Sequence, residues 1–134
     1  MYVQIAKTLY TRAGKKYIDV RLNNADKMNV CAIHNKHYMN CDTPFFNPLD
    51  DDVLTVKVPF KWHRPTYKHQ GIKTIFEVKE GDLLKAEVEF KGLWKLPNSH
   101  GFSWQLVSMN TESILPPKMS EPIDIPQSRG NQNI

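Results

Sequence analysis

No stretch of this 134-residue chain approaches the ~18 consecutive apolar residues of a membrane span, and no charged leader precedes an apolar run at Met1-Tyr2-Val3-Gln4-Ile5. No membrane association is therefore expected. The expected location is the cytoplasm or the host nucleus, and the chain is not expected to be secreted. Cysteine is scarce: Cys31 and Cys41 are too few for a disulfide scaffold and are expected as reduced thiols. A phosphate-cradling P-loop, a nucleophile elbow and a dinucleotide fingerprint are all missing. With those absences, neither a cofactor nor catalysis is expected.

What is present suits one small domain. Hydrophobic residues make up 40% of the chain and charged residues 24%, enough apolar matter to build a core. The net charge of +4 is unevenly spread. Residues 1–22 hold five basic side chains and one acidic, and residues 53–105 hold nine and five. Between them, residues 23–52 hold two basic and five acidic side chains. Two basic blocks around an acidic insertion suggest one side that faces a polyanion.

The readable periodicity is two, the signature of strands. Val3, Ile5 and Leu9 alternate with Gln4, Ala6 and Thr8, broken by Lys7 on the inner face. Beyond Arg12-Ala13-Gly14-Lys15, Ile18, Val20 and Leu22 form a partner run, so the two read as a hairpin. A third series, Leu54 to Trp62, contains Pro59, which donates no ladder hydrogen bond and implies an edge strand or a bulge there. The fourth series puts Leu84, Ala86, Val88 and Phe90 inside, and the fifth puts Phe102, Trp104 and Leu106 there, with a turn at residues 97–101. Ile72–Val78 is a candidate for one more short strand. Asn23–His37 offers one or two helical turns at most, weakened by its asparagines, and residues 40–52 read as a long loop. These elements predict a mainly β fold: a small five-stranded OB-like barrel over residues 1–115, with a long insertion after the first hairpin. The Pro-rich remainder, residues 116–134, reads as a mobile tail.

The most suggestive segment is Lys57–Lys73. It holds Lys57, Lys61, Arg64, Lys68 and Lys73, with Phe60, Trp62, Tyr67, His63 and His69, and no carboxylate. Single strands are held by cations that neutralise phosphates and by aromatic faces on which bases stack, at ~1–3 kcal/mol per base. Phe60 and Trp62 share parity with the core-facing Val56 and Val58, so Tyr67, in the loop beyond Pro65, is the better stacking candidate.

Gly81-Asp82, the alternating strand Leu84–Phe90, Trp94-Lys95, a short polar turn and Gly101-x-Ser103-x-x-Leu106 together resemble the closing strands of OB-fold single-stranded DNA-binding proteins of phages and large DNA viruses. The resemblance covers residues 72–109. It implies a viral protein that coats single-stranded DNA during replication or recombination, largely without regard to sequence, through a basic aromatic cleft. It places Trp94 and Lys95 at the cleft border and Trp104 on the inner face. Trp62, Tyr67 and Trp94 would then stack bases, while Lys91, Lys95, Arg12, Lys15 and Lys16 would extend the basic rim set by Lys57 to Lys73. Expected partners are single-stranded nucleic acid and replication proteins, with a homo-oligomer left open. Two departures stand out: the tail lacks a strong acidic run, and the 23–52 insertion has no counterpart.

Other constellations carry competing chemistry. Cys31, His34, His37 and Cys41 are zinc-type ligands, but their spacing differs from the usual paired arms. Asp42 with Asp50-Asp51-Asp52 forms a carboxylate cluster that a solvated turn explains more simply. His63 and His69 would be the acid–base pair of a metal-free ribonuclease. A viral structural or interaction module working through the Pro-rich tail is the remaining alternative.

Overall fold

The computed structural model describes residues 1–40 and 42–112; the expected tail at 116–134 lies outside the described residues. In chain order the elements are β1 (Tyr2–Arg12), β2 (Lys15–Arg21), α1 (Asn24–His37), β3 (Phe45–Phe46), β4 (Leu49–Asp50), β5 (Val53–Val58), β6 (Phe60–Lys61), β7 (Arg64–Pro65), β8 (Lys68–Gln70), β9 (Leu83–Leu96) and β10 (Ser99–Asn110).

Five of these close on themselves. β1 pairs antiparallel with β2, β2 with β5, β10 with β9, and β9 with β1. The circuit is completed by a parallel contact between β5 and β10 at Lys57 and Gln105. Hydrogen bonding therefore runs in a ring, barrel-like, through five strands whose order in the chain is first, second, third, fifth, fourth. The mainly β architecture expected from the alternating runs is the one observed. β3 and β8 add in parallel to opposite ends of β10, and β4 adds to β5.

The alternation fills the ring. Val3, Ile5, Ile18, Val20, Leu54, Val56, Val58, Leu84, Ala86, Trp104 and Leu106 are buried together. A bulge between Leu106 and Ser108 shifts the parity of β10, so that Met109 points inward instead of Ser108.

Four local expectations need correction. Asn24–His37 is a full 14-residue helix, capped by the Asn23 side chain, which accepts from the Asp26 backbone N–H at 2.8 Å. It forms through tertiary contact more than periodicity: only Val30 and His34 are buried, one turn apart. Pro59 does not mark an edge strand, because β5 is paired by β2 on one side and by β4 and β10 on the other. The ladder simply ends at Val58, and the Pro59 carbonyl accepts from the Thr66 N–H at 2.9 Å to begin the small β6–β7 hairpin. Ile72–Val78 is a turn, not a strand, with Ile75 and Val78 buried. The 40–52 loop carries two short strands, β3 and β4.

Candidate functional site

One open cleft of about 720 Å³ lies on the ring's outer surface. Tyr17 of β2 with Thr55 and Lys57 of β5 form its floor, because alternation that sends Ile18, Val56 and Val58 inward sends these outward. Arg12, Ala13 and Lys15 enter from the β1–β2 turn. Leu96 and Ser99 flank the β9–β10 turn, and Trp94 stands beside them. The far wall is Pro44-Phe45-Phe46 with Pro48, held by β3 pairing to β10.

Gly101 lets that wall close. A Cβ there would lie 2.5 Å from the Phe46 carbonyl oxygen and 2.8 Å from Trp94 Cζ2, so only glycine admits both against β10. The Trp94 indole N–H donates to the Phe102 carbonyl at 3.2 Å, fixing the ring, and Phe46 lies 6.5 Å from it, centroid to centroid. The Arg12 guanidinium sits over two rings, 4.9 Å from Tyr17 and 4.8 Å from Phe46.

The charge is of one sign. Arg12, Lys15 and Lys57 are the charged side chains of the lining, and no carboxylate joins them. Burial, and then the neighbouring Lys15 charge, push the Lys57 ammonium below the usual lysine range. Asp19, on the same face of β2, borders the floor without joining the lining: it accepts from the Tyr10 hydroxyl at 2.7 Å and from the floor residue Thr55 through Oγ1 at 3.1 Å. Burial and the Asp19 contact push the Tyr10 phenol up to about 12.

No protein-family model, curated protein or solved structure matches this chain.

Of the residues expected from sequence to bind nucleic acid, the cleft gathers Arg12, Lys15, Lys57 and Trp94. Lys61, Trp62 and Arg64 belong to the β6–β7 hairpin, which leaves the ring after Val58, opposite Lys16 and so at the end bearing the β1–β2 turn. Trp62 is 84% exposed rather than core. Lys68 and Lys95 are exposed outside the lining, while Lys16 donates to Thr11 Oγ1. Lys73 and Lys91 are paired with Asp82 and Glu89. Tyr67 is a correction: it is buried, and its hydroxyl accepts from the Ile75 N–H at 3.2 Å, so its faces cannot take a base. Tyr17, Phe45 and Phe46 are the site aromatics that sequence reasoning missed. The available signal was Pro44-Phe45-Phe46-Asn47-Pro48, adjacent aromatics held between prolines in an otherwise polar loop.

The described members of the competing constellations are not brought together. Among the described residues no three His, Cys, Asp or Glu side chains converge as a metal site. Cys41 lies outside the described residues. His34 Nε2 accepts from the Trp104 indole N–H at 2.8 Å, which occupies the lone pair a metal would need. Asp51 and Asp52 pair with Lys27 and Arg21, tying the turn before β5 to α1 and β2. His69 Nε2 lies 2.9 Å from the Gly71 carbonyl, and no hydrogen bond among the described residues links it to His63. No described helix is long and apolar enough to cross a membrane.

Proposed function

We propose that this protein binds single-stranded DNA, largely without regard to sequence, in the cleft over β2 and β5. The observation that carries the reading is the lining itself: three cations, the rings of Tyr17, Phe45, Phe46 and Trp94, and no carboxylate. A phosphodiester chain needs cations along its backbone and flat apolar faces for its bases. Every base has a π-face, so stacking of this kind tolerates any sequence.

The position of the cleft supports the same reading. OB-folds bind oligonucleotides on the face of their second and third strands, between the loops joining strands 1–2 and 4–5. Numbering the ring strands along the chain, the floor residues Tyr17, Thr55 and Lys57 lie on the second and third strands. Ala13 lies in the 1–2 connection with Arg12 and Lys15 at its two ends, and Leu96 and Ser99 are the strand ends that flank the 4–5 connection. Lys61, Trp62 and Arg64 extend the positive surface from the neighbouring hairpin. A role in replication or recombination, where single strands need cover, follows from such binding.

Titration of tryptophan fluorescence with oligo-dT, oligo-U and duplex DNA at several salt concentrations tests the reading. The expected result is quenching by single strands, weaker binding of duplex, and a linear fall of log affinity with log salt. Replacing Lys57 by Glu should weaken binding about tenfold or more at low salt. Absence of any salt-dependent binding to single strands would overturn the proposal and favour a protein-interaction module.

A further inference from the structure

Arg12 occupies an unusual place for a cation meant for phosphate. Its guanidinium is planar and lies over the Tyr17 ring at 4.9 Å and the Phe46 ring at 4.8 Å. Tyr17 belongs to the floor and Phe46 to the wall, so the one side chain spans the cleft between them. Phe46 is about one-third exposed and continues the aromatic surface to Trp94, 6.5 Å away. Lys15 and Lys57 lie in the same lining, without a carboxylate, where an anionic group attached to a stacked base would find its counter-charge.

Guanidinium and nucleobase are alike in what an aromatic surface offers them: both are flat, delocalised and weakly hydrated on their faces. We infer that the Tyr17–Arg12–Phe46 arrangement marks a subsite for one unpaired base, and that the Arg12 guanidinium fills it until nucleic acid arrives. An entering base displaces the guanidinium from the two rings. Arg12, carried on the exposed β1–β2 turn, then turns to the phosphate that enters with the base. The side chain thus keeps two exposed aromatic faces covered in the free protein and becomes a backbone contact in the complex. This rests on the reading of the cleft as a nucleic-acid site and adds where one base sits and what it must displace.

The consequence is an opposite effect of one substitution at low and high salt. In Arg12→Ala the subsite is vacant, so stacking no longer competes with an internal partner, but one phosphate contact is lost. Binding of oligo-dT by fluorescence should be about three- to tenfold weaker than wild type at low salt. At about 0.5 M salt, where phosphate contacts are screened, it should equal or exceed wild type. The slope of log affinity against log salt should fall by about 0.7, the single-strand value for one phosphate. Phe46→Ala should weaken binding at every salt concentration, and in the Phe46→Ala background Arg12→Ala should no longer improve high-salt binding. Circular dichroism and thermal melts of each variant establish that the fold is retained. If wild type binds and Arg12→Ala is weaker by one constant factor at all salt concentrations, Arg12 is an ordinary contact and the subsite is overturned while the cleft reading stands. If wild type binds no oligonucleotide at any salt concentration, both fall.

Discussion

His34 joins the helix to the ring through a single side chain. Buried at 7% exposure, it stacks on Phe102 with centroids 4.5 Å apart and accepts the Trp104 indole N–H at 2.8 Å. Accepting at Nε2 requires the neutral ring with its proton on Nδ1. Burial holds its pKa below the ordinary 6.5, so the folded state resists a proton that the unfolded chain takes up. The sign follows: this contribution to stability is complete above about pH 6.5 and is lost progressively as pH falls from there towards the lower folded value. Denaturant midpoints should therefore drop between about pH 7 and about pH 5. The drop should shrink in His34→Gln, where position 34 no longer carries a titrating group; an unchanged pH profile in that variant would remove His34 from the account. Trp104→Ala, which empties the core and strands the acceptor, should cost about 3–5 kcal/mol. The inward position of Trp104 was readable from its parity with Phe102 and Leu106. Its partner was not, because nothing in Asn23–His37 marks which of its polar side chains turns inward.

Among the elements, the two small hairpins solve one geometric problem differently. A two-residue turn with positive φ at both positions matches strand twist and is best filled by Asn-Gly. The β1–β2 turn uses Ala13 (φ 53°) and Gly14 (φ 78°), whereas the β6–β7 turn uses Trp62 (φ 53°) and His63 (φ 67°), both with a Cβ. Replacing Trp62-His63 by Asn-Gly should raise stability by about 1–2 kcal/mol in a thermal melt, since Trp62 contributes little packing at 84% exposure. A lower melting temperature instead would mean that the exposed ring holds the hairpin together. The elements legible in the sequence were those with an alternating buried face over part of their length: β1, β2, β5, β9 and β10. α1 escaped because Val30 and His34 are its only fully buried positions. β3 escaped because two residues show no period, although they build the cleft wall. Tyr67 was misplaced because a tyrosine after Pro65 reads as loop, and only the fold reveals the Ile75 N–H that its hydroxyl satisfies.

Across the whole molecule, charge and fold divide the chain in the same way. The ring strands come from the two basic blocks, with β10 running on past the second to Asn110. The acidic insertion supplies α1, β3 and β4, and its Asp51 and Asp52 are drawn into pairs with Lys27 and Arg21. Asp51 and Asp52 are thereby held outside the cleft lining, which was visible in the sequence only as uneven charge. Lys57 was legible as a cation within a basic run. That it converges with Lys15 depends on the pairing of β2 with β5 across the long insertion, which the sequence does not show. That convergence opposes stability in the free protein: burial and the Lys15 charge both disfavour the Lys57 ammonium. Lys57→Gln should therefore raise the melting temperature of the unliganded protein at low salt, with the part due to Lys15 shrinking as salt screens the repulsion. The same substitution should weaken oligonucleotide binding, because the charge that burdens the empty cleft is the one an anion neutralises. Saturating oligo-dT should raise the melting temperature of wild type more than that of Lys57→Gln; at a hundredfold excess over Kd the stabilisation is about 2.7 kcal/mol. A Lys57→Gln variant less stable than wild type at low salt would show that the aliphatic stem of Lys57 matters more to the cleft than its charge, and would leave the pairing of the two lysines without a role in binding.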